Sequence, residues 1–164
     1  MKIRLATEED LEAINHIYNQ VIPYEMSTAD TVPYTMEERI EWFRGYDRFK
    51  YPVFVADTGE EVAGYFSFSP YRPRRQAMRH TAEISYFVDE KYRQKGIGSA
   101  LMEYAISKAP EYNTKTLIAI LLAHNEASIQ LLEKFGFIEW GRMPAVADFN
   151  GKERDHLYYG LRIG

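Results

Sequence analysis

The stretch Arg93-Gln94-Lys95-Gly96-Ile97-Gly98-Ser99-Ala100-Leu101 (RQKGIGSAL) lies just past the middle of the chain. Basic and polar side chains precede two glycines spaced by one residue, and a run with helical spacing follows. Immediately upstream, His80 to Asp89 (HTAEISYFVD) alternates as a strand does. The order is strand, loop, paired glycines, helix. A helix start offers N–H groups that find no acceptor inside the helix, and a partial positive charge. Glycine lets a ligand come close to such a backbone. The place suits a phosphate, and Arg93 and Lys95 add charge beside it. The same residues also suit a plain turn. Two common nucleotide loops do not fit. A dinucleotide fingerprint needs a third glycine where Leu101 stands, and a P-loop needs a longer gap between glycines with Lys-Ser/Thr after them.

Outward from this loop the hydrophobic period changes in a regular order. Lys2 to Ala6 reads as a short strand, and Thr7 opens an acidic turn that leads to Leu11, Ile14, Ile17, Tyr18 and Val21 at helical spacing. Thr35 can cap a second helix, with Glu38 three residues on and Ile40, Trp42 and Phe43 behind it. Tyr51 to Asp57 and Glu61 to Ser69 are strand-like runs joined through Thr58-Gly59. Ser99 to Ala109 is helical and stops at Pro110. Lys115 to Ala123 is nearly all apolar, as in a strand covered on both faces. Asn125 to Lys134 reads as a helix closed by Gly136, and Phe137 to Ala145 and Asp155 to Arg162 as two closing strands. No repeat or linker interrupts the order. Residues 1–164 are expected to form one α/β (α+β) domain around a mixed sheet.

Bulk composition narrows the function. A chain of 164 residues can build one core of useful size. A net charge of -4 argues against nucleic acid as the main partner. The absence of cysteine excludes disulfides, thiolate metal sites and a cysteine nucleophile. His16, His80, His124 and His156 are scattered without metal-ligand spacing, so no metal is expected. No apolar run approaches the roughly 18 residues that span a bilayer, and the N-terminus lacks the apolar run of a signal peptide. A cytoplasmic protein without a membrane partner is expected.

The loop pattern Arg/Gln-x-x-Gly-x-Gly/Ala resembles the acetyl-coenzyme A pyrophosphate loop of the GNAT superfamily of N-acetyltransferases. Asn125-Glu126-Ala127-Ser128 followed by Glu133-Lys134-Phe135-Gly136-Phe137 resembles that family's later signature. The resemblance implies a mixed, mostly antiparallel sheet of about seven strands flanked by about four helices, and acetyl-CoA as co-substrate. It implies pyrophosphate contacts along Arg93, Gln94, Lys95, Gly96, Ile97, Gly98 and Ser99. It implies pantetheine contacts along Ser85, Tyr86, Phe87 and Val88, where the strand would part from Lys115 to Ala123, with Asn125 and Ser128 nearby. Asn125 is equally suited to be a helix N-cap. A narrower likeness joins Tyr71-Arg72-Pro73-Arg74 and Arg79 to Val88 to the phosphinothricin and methionine sulfoximine acetyltransferase branch. It puts Arg72, Arg74 and Glu83 on substrate and catalytic positions and implies a homodimer. The chain departs from the branch at Met78, at Phe149 and at Leu132, where the family carries a proton-donating Tyr or His.

The chemistry can also be argued from the residues. Acetylation needs a neutral amine, because a protonated one has no lone pair, so a base must take a proton. Thr81, Glu83, Ser85 and Phe87 share one face of their strand; Ala82, Ile84, Tyr86 and Val88 share the other. A carboxylate on an inner strand among apolar neighbours has its pKa pushed up, which suits a base. On a wet face it would be an ordinary surface acid. Arg72 and Arg74 could clamp an acidic group on the acceptor or belong to a solvated loop. Without Tyr or His at Leu132, the thiolate would leave unaided or take a proton from Ser128, Tyr158 or water. The expected activity is acetyl-CoA-dependent N-acetylation of a small amine, an amino acid or analogue. Acetylation of a protein N-terminus or another amine, and a non-catalytic acyl-CoA-binding module, are the alternatives.

Overall fold

The computed structural model describes residues 1–164. Its strands are β1 (Lys2–Leu5), β2 (Val53–Asp57), β3 (Val62–Pro70), β4 (Thr81–Val88), β5 (Thr116–Leu122), β6 (Ile138–Phe149) and β7 (Lys152–Arg162). The helices are α1 (Leu11–Asn19), α2 (Met36–Arg44), α3 (Ile97–Lys108) and α4 (Glu126–Lys134). All seven strands join one sheet in the order β1-β2-β3-β4-β5-β7-β6. Each neighbouring pair is antiparallel except β4 and β5. Those two run parallel because α3 carries the chain back across the sheet between them. No helix is long and apolar enough to cross a membrane.

Strand alternation sorts the two faces. Ala82 and Ile84 of β4, Leu117 and Ala119 of β5 and Leu157 of β7 form a core with Leu101, Met102 and Ala105 of α3 and Leu132 of α4. On the opposite face, Val53, Val55 and Tyr65 pack with Leu11, Ile14 and Ile17 of α1, and Phe87 joins them. Thr35 caps α2 as its spacing suggests, accepting from the Glu38 amide while Glu38 Oε2 accepts from the Thr35 amide at 2.8 Å.

Several boundaries differ from the sequence reading. The acidic turn Glu8–Asp10 is a single 3-10 turn, and α1 begins only at Leu11. Asp10 is turned inward onto Arg4, with two contacts of 2.8 Å. Helix α3 begins at Ile97 rather than Ser99, inside the glycine pair, because Gly96 takes the left-handed conformation (φ +82°) that the entry to the helix requires. Strand β6 runs on to Phe149 and β7 begins at Lys152, well beyond the expected ends at Ala145 and Asp155. They are joined by Asn150-Gly151, both with positive φ. That dipeptide is the sequence signal for a tight hairpin. Its strands were obscured by a register shift between Met143 and Ala147, with Ala145 at φ +54°.

Candidate active site

Strands β4 and β5 pair only at Thr81 with Thr116, Ala82 with Leu117 and Glu83 with Ile118. Beyond that point they part. β4 stays with β3 as far as Val88 opposite Gly64, and β5 stays with β7 as far as Leu122 opposite His156. The β5-facing backbone edge of Ile84 to Val88 is left open. An extended, amide-bearing chain can pair with such an edge as an added strand would.

At the end of the open edge lies the glycine loop. The amides of Gln94 through Ser99 make no backbone hydrogen bond; the first in α3 is from Ala100 to the Gly96 carbonyl, at 3.0 Å. Gln94 and Gly96 both have positive φ, which turns successive N–H groups into a concave nest suited to an anion. Lys134 of α4 reaches over to Ser99 Oγ at 3.2 Å. Gly98 serves packing as well. A Cβ there would lie 3.3 Å from Leu131 Cδ2 and 3.8 Å from Val88 Cγ2, so its bare backbone brings α3 close to α4 and β4.

On the α1/α2 side of the parting strands is a cavity of about 310 Å³. Its sheet wall carries Ser67, Glu83, Ser85, Phe87, Leu122 and His156; its helical and loop wall carries Tyr18, Thr28, Tyr34, Arg39, Trp42 and Tyr46. Burial raises the Glu83 carboxyl above the ordinary carboxylate range and lowers the His156 imidazole. Both shifts have the same cause, the cost of holding a charge away from water, and a raised carboxyl pKa makes the ionised Glu83 a stronger base. A carboxylate at the point where two strands separate, an open strand edge and a loop of unpaired amides lie in series along the sheet.

The sequence profile of the acetyltransferase (GNAT) family matches residues 12–137. The chain belongs to the GNAT acetyltransferase family. It is 44% identical over 164 residues to YwnH of Bacillus subtilis (strain 168), provisionally named a phosphinothricin acetyltransferase, with 99% of each chain covered. It is 33% identical over 162 residues to the L-methionine sulfoximine/L-methionine sulfone acetyltransferase of Pseudomonas paraeruginosa (strain DSM 24068 / PA7), covering 98% of this chain and 94% of the relative. The crystal structure of a GNAT phosphinothricin acetyltransferase from Sinorhizobium meliloti in complex with acetyl-CoA superposes with a TM-score of 0.92 at 28% identity, covering 99% of this chain and 88% of that one.

Within this GNAT domain the structure gathers some of the expected residues and separates others. Glu83, Ser85 and Phe87 face the cavity, whereas Tyr86 and Val88 turn to the α3/α4 side. Asn125 is buried and caps α4, its Oδ1 accepting from the Ser128 amide at 3.2 Å. Leu132 is fully buried in the core, and Tyr158 lies on the cavity side of β7, away from α4. Arg72 and Arg74 are exposed on the β3–β4 connection and do not line the cavity. Of the positions where the chain departs from the branch, Met78 is exposed, Phe149 is buried at the end of β6, and neither lines the cavity. Sequence reasoning missed Tyr18, Tyr34, Arg39 and His156 as cavity residues. Arg39 left a signal, since it sits three and four residues before Trp42 and Phe43, on the apolar stripe of α2.

Proposed function

We propose that the protein transfers the acetyl group of acetyl-CoA to the amine of a small amino acid or analogue by direct attack, with Glu83 as general base. The observation that carries this reading is the half-buried Glu83 carboxylate, raised by burial, on the cavity wall where β4 and β5 part. In this reading the pyrophosphate rests on the amides from Gln94 to Ser99, between Arg93 and Lys95. The pantetheine arm pairs with the free edge at Ser85 to Val88, and Asn125 and Ser128 border the thioester. The amine enters the cavity, Glu83 takes its proton directly or through water, and the nitrogen attacks the thioester carbonyl. The thiolate then leaves; a thiol is an adequate leaving group near neutral pH.

A cavity of about 310 Å³ suits an acceptor of amino-acid size. The named activities of YwnH and of the methionine sulfone acetyltransferase support the same class. In this reading Arg72 and Arg74, exposed on the loop that follows β3, attract an acidic acceptor by their charge. Ile138, Trp140, Met143 and Val146 are exposed along β6, which supports a homodimer through that hairpin. The test is thiol release from acetyl-CoA with a panel of methionine sulfone, methionine sulfoximine, phosphinothricin, a carboxylate-free amine and a peptide with a free N-terminus. Turnover on the amino acids alone supports the reading. Turnover on the peptide alone assigns a protein N-terminus, and binding of acetyl-CoA without turnover on any amine assigns a non-catalytic module.

A further inference from the structure

One wall of the cavity has no part in the proton chemistry. Arg39 of α2 contributes to it, and is 1% exposed. Its Nε donates to Asn15 Oδ1 at 3.1 Å, but its Nη2 is buried without any partner. No carboxylate forms an ion pair with it. Its Cζ instead lies 4.8, 4.5 and 4.7 Å from the ring centroids of Tyr18, Tyr34 and Trp42. Asn15 is itself held, donating through Nδ2 to the Tyr34 carbonyl at 3.1 Å. Asp30, beside the same rings, accepts from the Tyr18 hydroxyl. The guanidinium is thus held by one hydrogen bond and three rings, yet lacks a counter-ion. A buried cation in that state is costly, and ring faces recover only part of the loss. An anion in the cavity would supply the missing counter-charge.

We propose that Arg39 is an anion subsite within the acceptor cavity, taking the carboxylate of an amino-acid acceptor and leaving its amine on the Glu83 side. The proposal rests on the reading that this cavity seats the acceptor. It differs from a clamp by Arg72 and Arg74, which lie outside the cavity. Nε is taken up by Asn15, which leaves Nη2, buried and without a partner, as the donor an acceptor carboxylate would meet at this wall; a guanidinium suits a carboxylate through such N–H groups.

The test compares methionine sulfone with its carboxamide, in which the same amine and side chain lack the acid. The ratio of kcat/KM for acid over amide is measured in wild type, Arg39→Met, Arg39→Lys and Arg74→Ala. Because each variant is compared with wild type on the same acceptor, the different basicity of the two amines cancels. Losing a charged hydrogen-bond partner typically lowers affinity ~10–150-fold. The acid-over-amide ratio is expected to fall by about that factor in Arg39→Met, mainly through KM, and less in Arg39→Lys. An unchanged ratio in folded Arg39→Met, or a loss of the ratio confined to Arg74→Ala, overturns the proposal. Wild-type calorimetry gives a check that needs no variant: the acid must bind more tightly than the amide, and equal binding also overturns it. If no amine turns over but the acid still binds in preference to the amide and Arg39→Met abolishes that preference, the subsite stands and the acetyl-transfer reading falls.

Discussion

Replacing Glu83 by Gln keeps the shape of the side chain and removes its ability to accept a proton. Help from a general base is typically worth ~10²–10⁴-fold, or about 2.7 to 5.4 kcal/mol of transition-state stabilisation. Glu83→Gln is expected to lower kcat by about that range at neutral pH, with acetyl-CoA binding little changed, because the nest and the open strand edge lie beyond the carboxylate. The residual rate should rise with pH as more of the amine is already neutral, whereas the wild-type rate should follow the Glu83 ionisation, raised by burial. The same shift makes a stability prediction with a definite sign. The folded-state pKa lies above that of the unfolded chain, so the folded state holds the proton to higher pH, and stability falls as pH rises through that window. Above that window wild type bears the cost of a buried charge, which Glu83→Gln removes. The variant should be at least as stable as wild type at pH 7 and lose that advantage below about pH 4. Thiol release measured across pH, with calorimetric titration of acetyl-CoA and denaturant melts at both pH values, covers the three readouts. A folded variant that binds acetyl-CoA and keeps kcat within about threefold of wild type would refute the role of Glu83 as base.

Other perturbations test the scaffold. Gly98→Val places methyl groups where a Cβ alone would already be 3.3 Å from Leu131 Cδ2; a loss of ~1–3 kcal/mol in urea unfolding is expected, and an unaltered midpoint would show that α3 and α4 have slack there. Asn125→Ala removes the acceptor of the Ser128 amide and should cost ~0.5–2 kcal/mol; if acetyl-CoA affinity falls as well, the same side chain also borders the thioester. Gly160→Ala sets a Cβ 2.0 Å from the ring of Trp140, which lies flat on that glycine. The indole must leave its seat, so the tryptophan emission should change, and an unchanged spectrum would contradict the packing of the β6–β7 hairpin.

The features that depend on a few neighbouring residues were readable in the chain. The alternation of β4, the capping box at Thr35 and Glu38, and the glycine pair at the head of α3 follow from side-chain period, a local hydrogen bond and a backbone angle. They gave the order of elements, the glycine pair at the head of α3 and the face of β4 on which Glu83 lies. The long β6–β7 hairpin was under-read because a register shift and an exposed face erase the alternation that marks a strand, although Asn150-Gly151 was in plain view. What lay beyond the sequence is what joins distant segments. Arg39 reads as a helix-surface charge until Tyr18, Tyr34 and Trp42 close around it, and only the structure shows that Arg72 and Arg74 do not line the cavity that holds Glu83. The parting of β4 from β5 after Glu83 is a property of two strands held apart by their other partners, β3 and β7. Sequence alone determined which groups could do chemistry, because that depends on residue type and local backbone geometry. Only the tertiary structure decided which of them share a cavity, because burial and charge pairing depend on contacts between residues far apart in the chain.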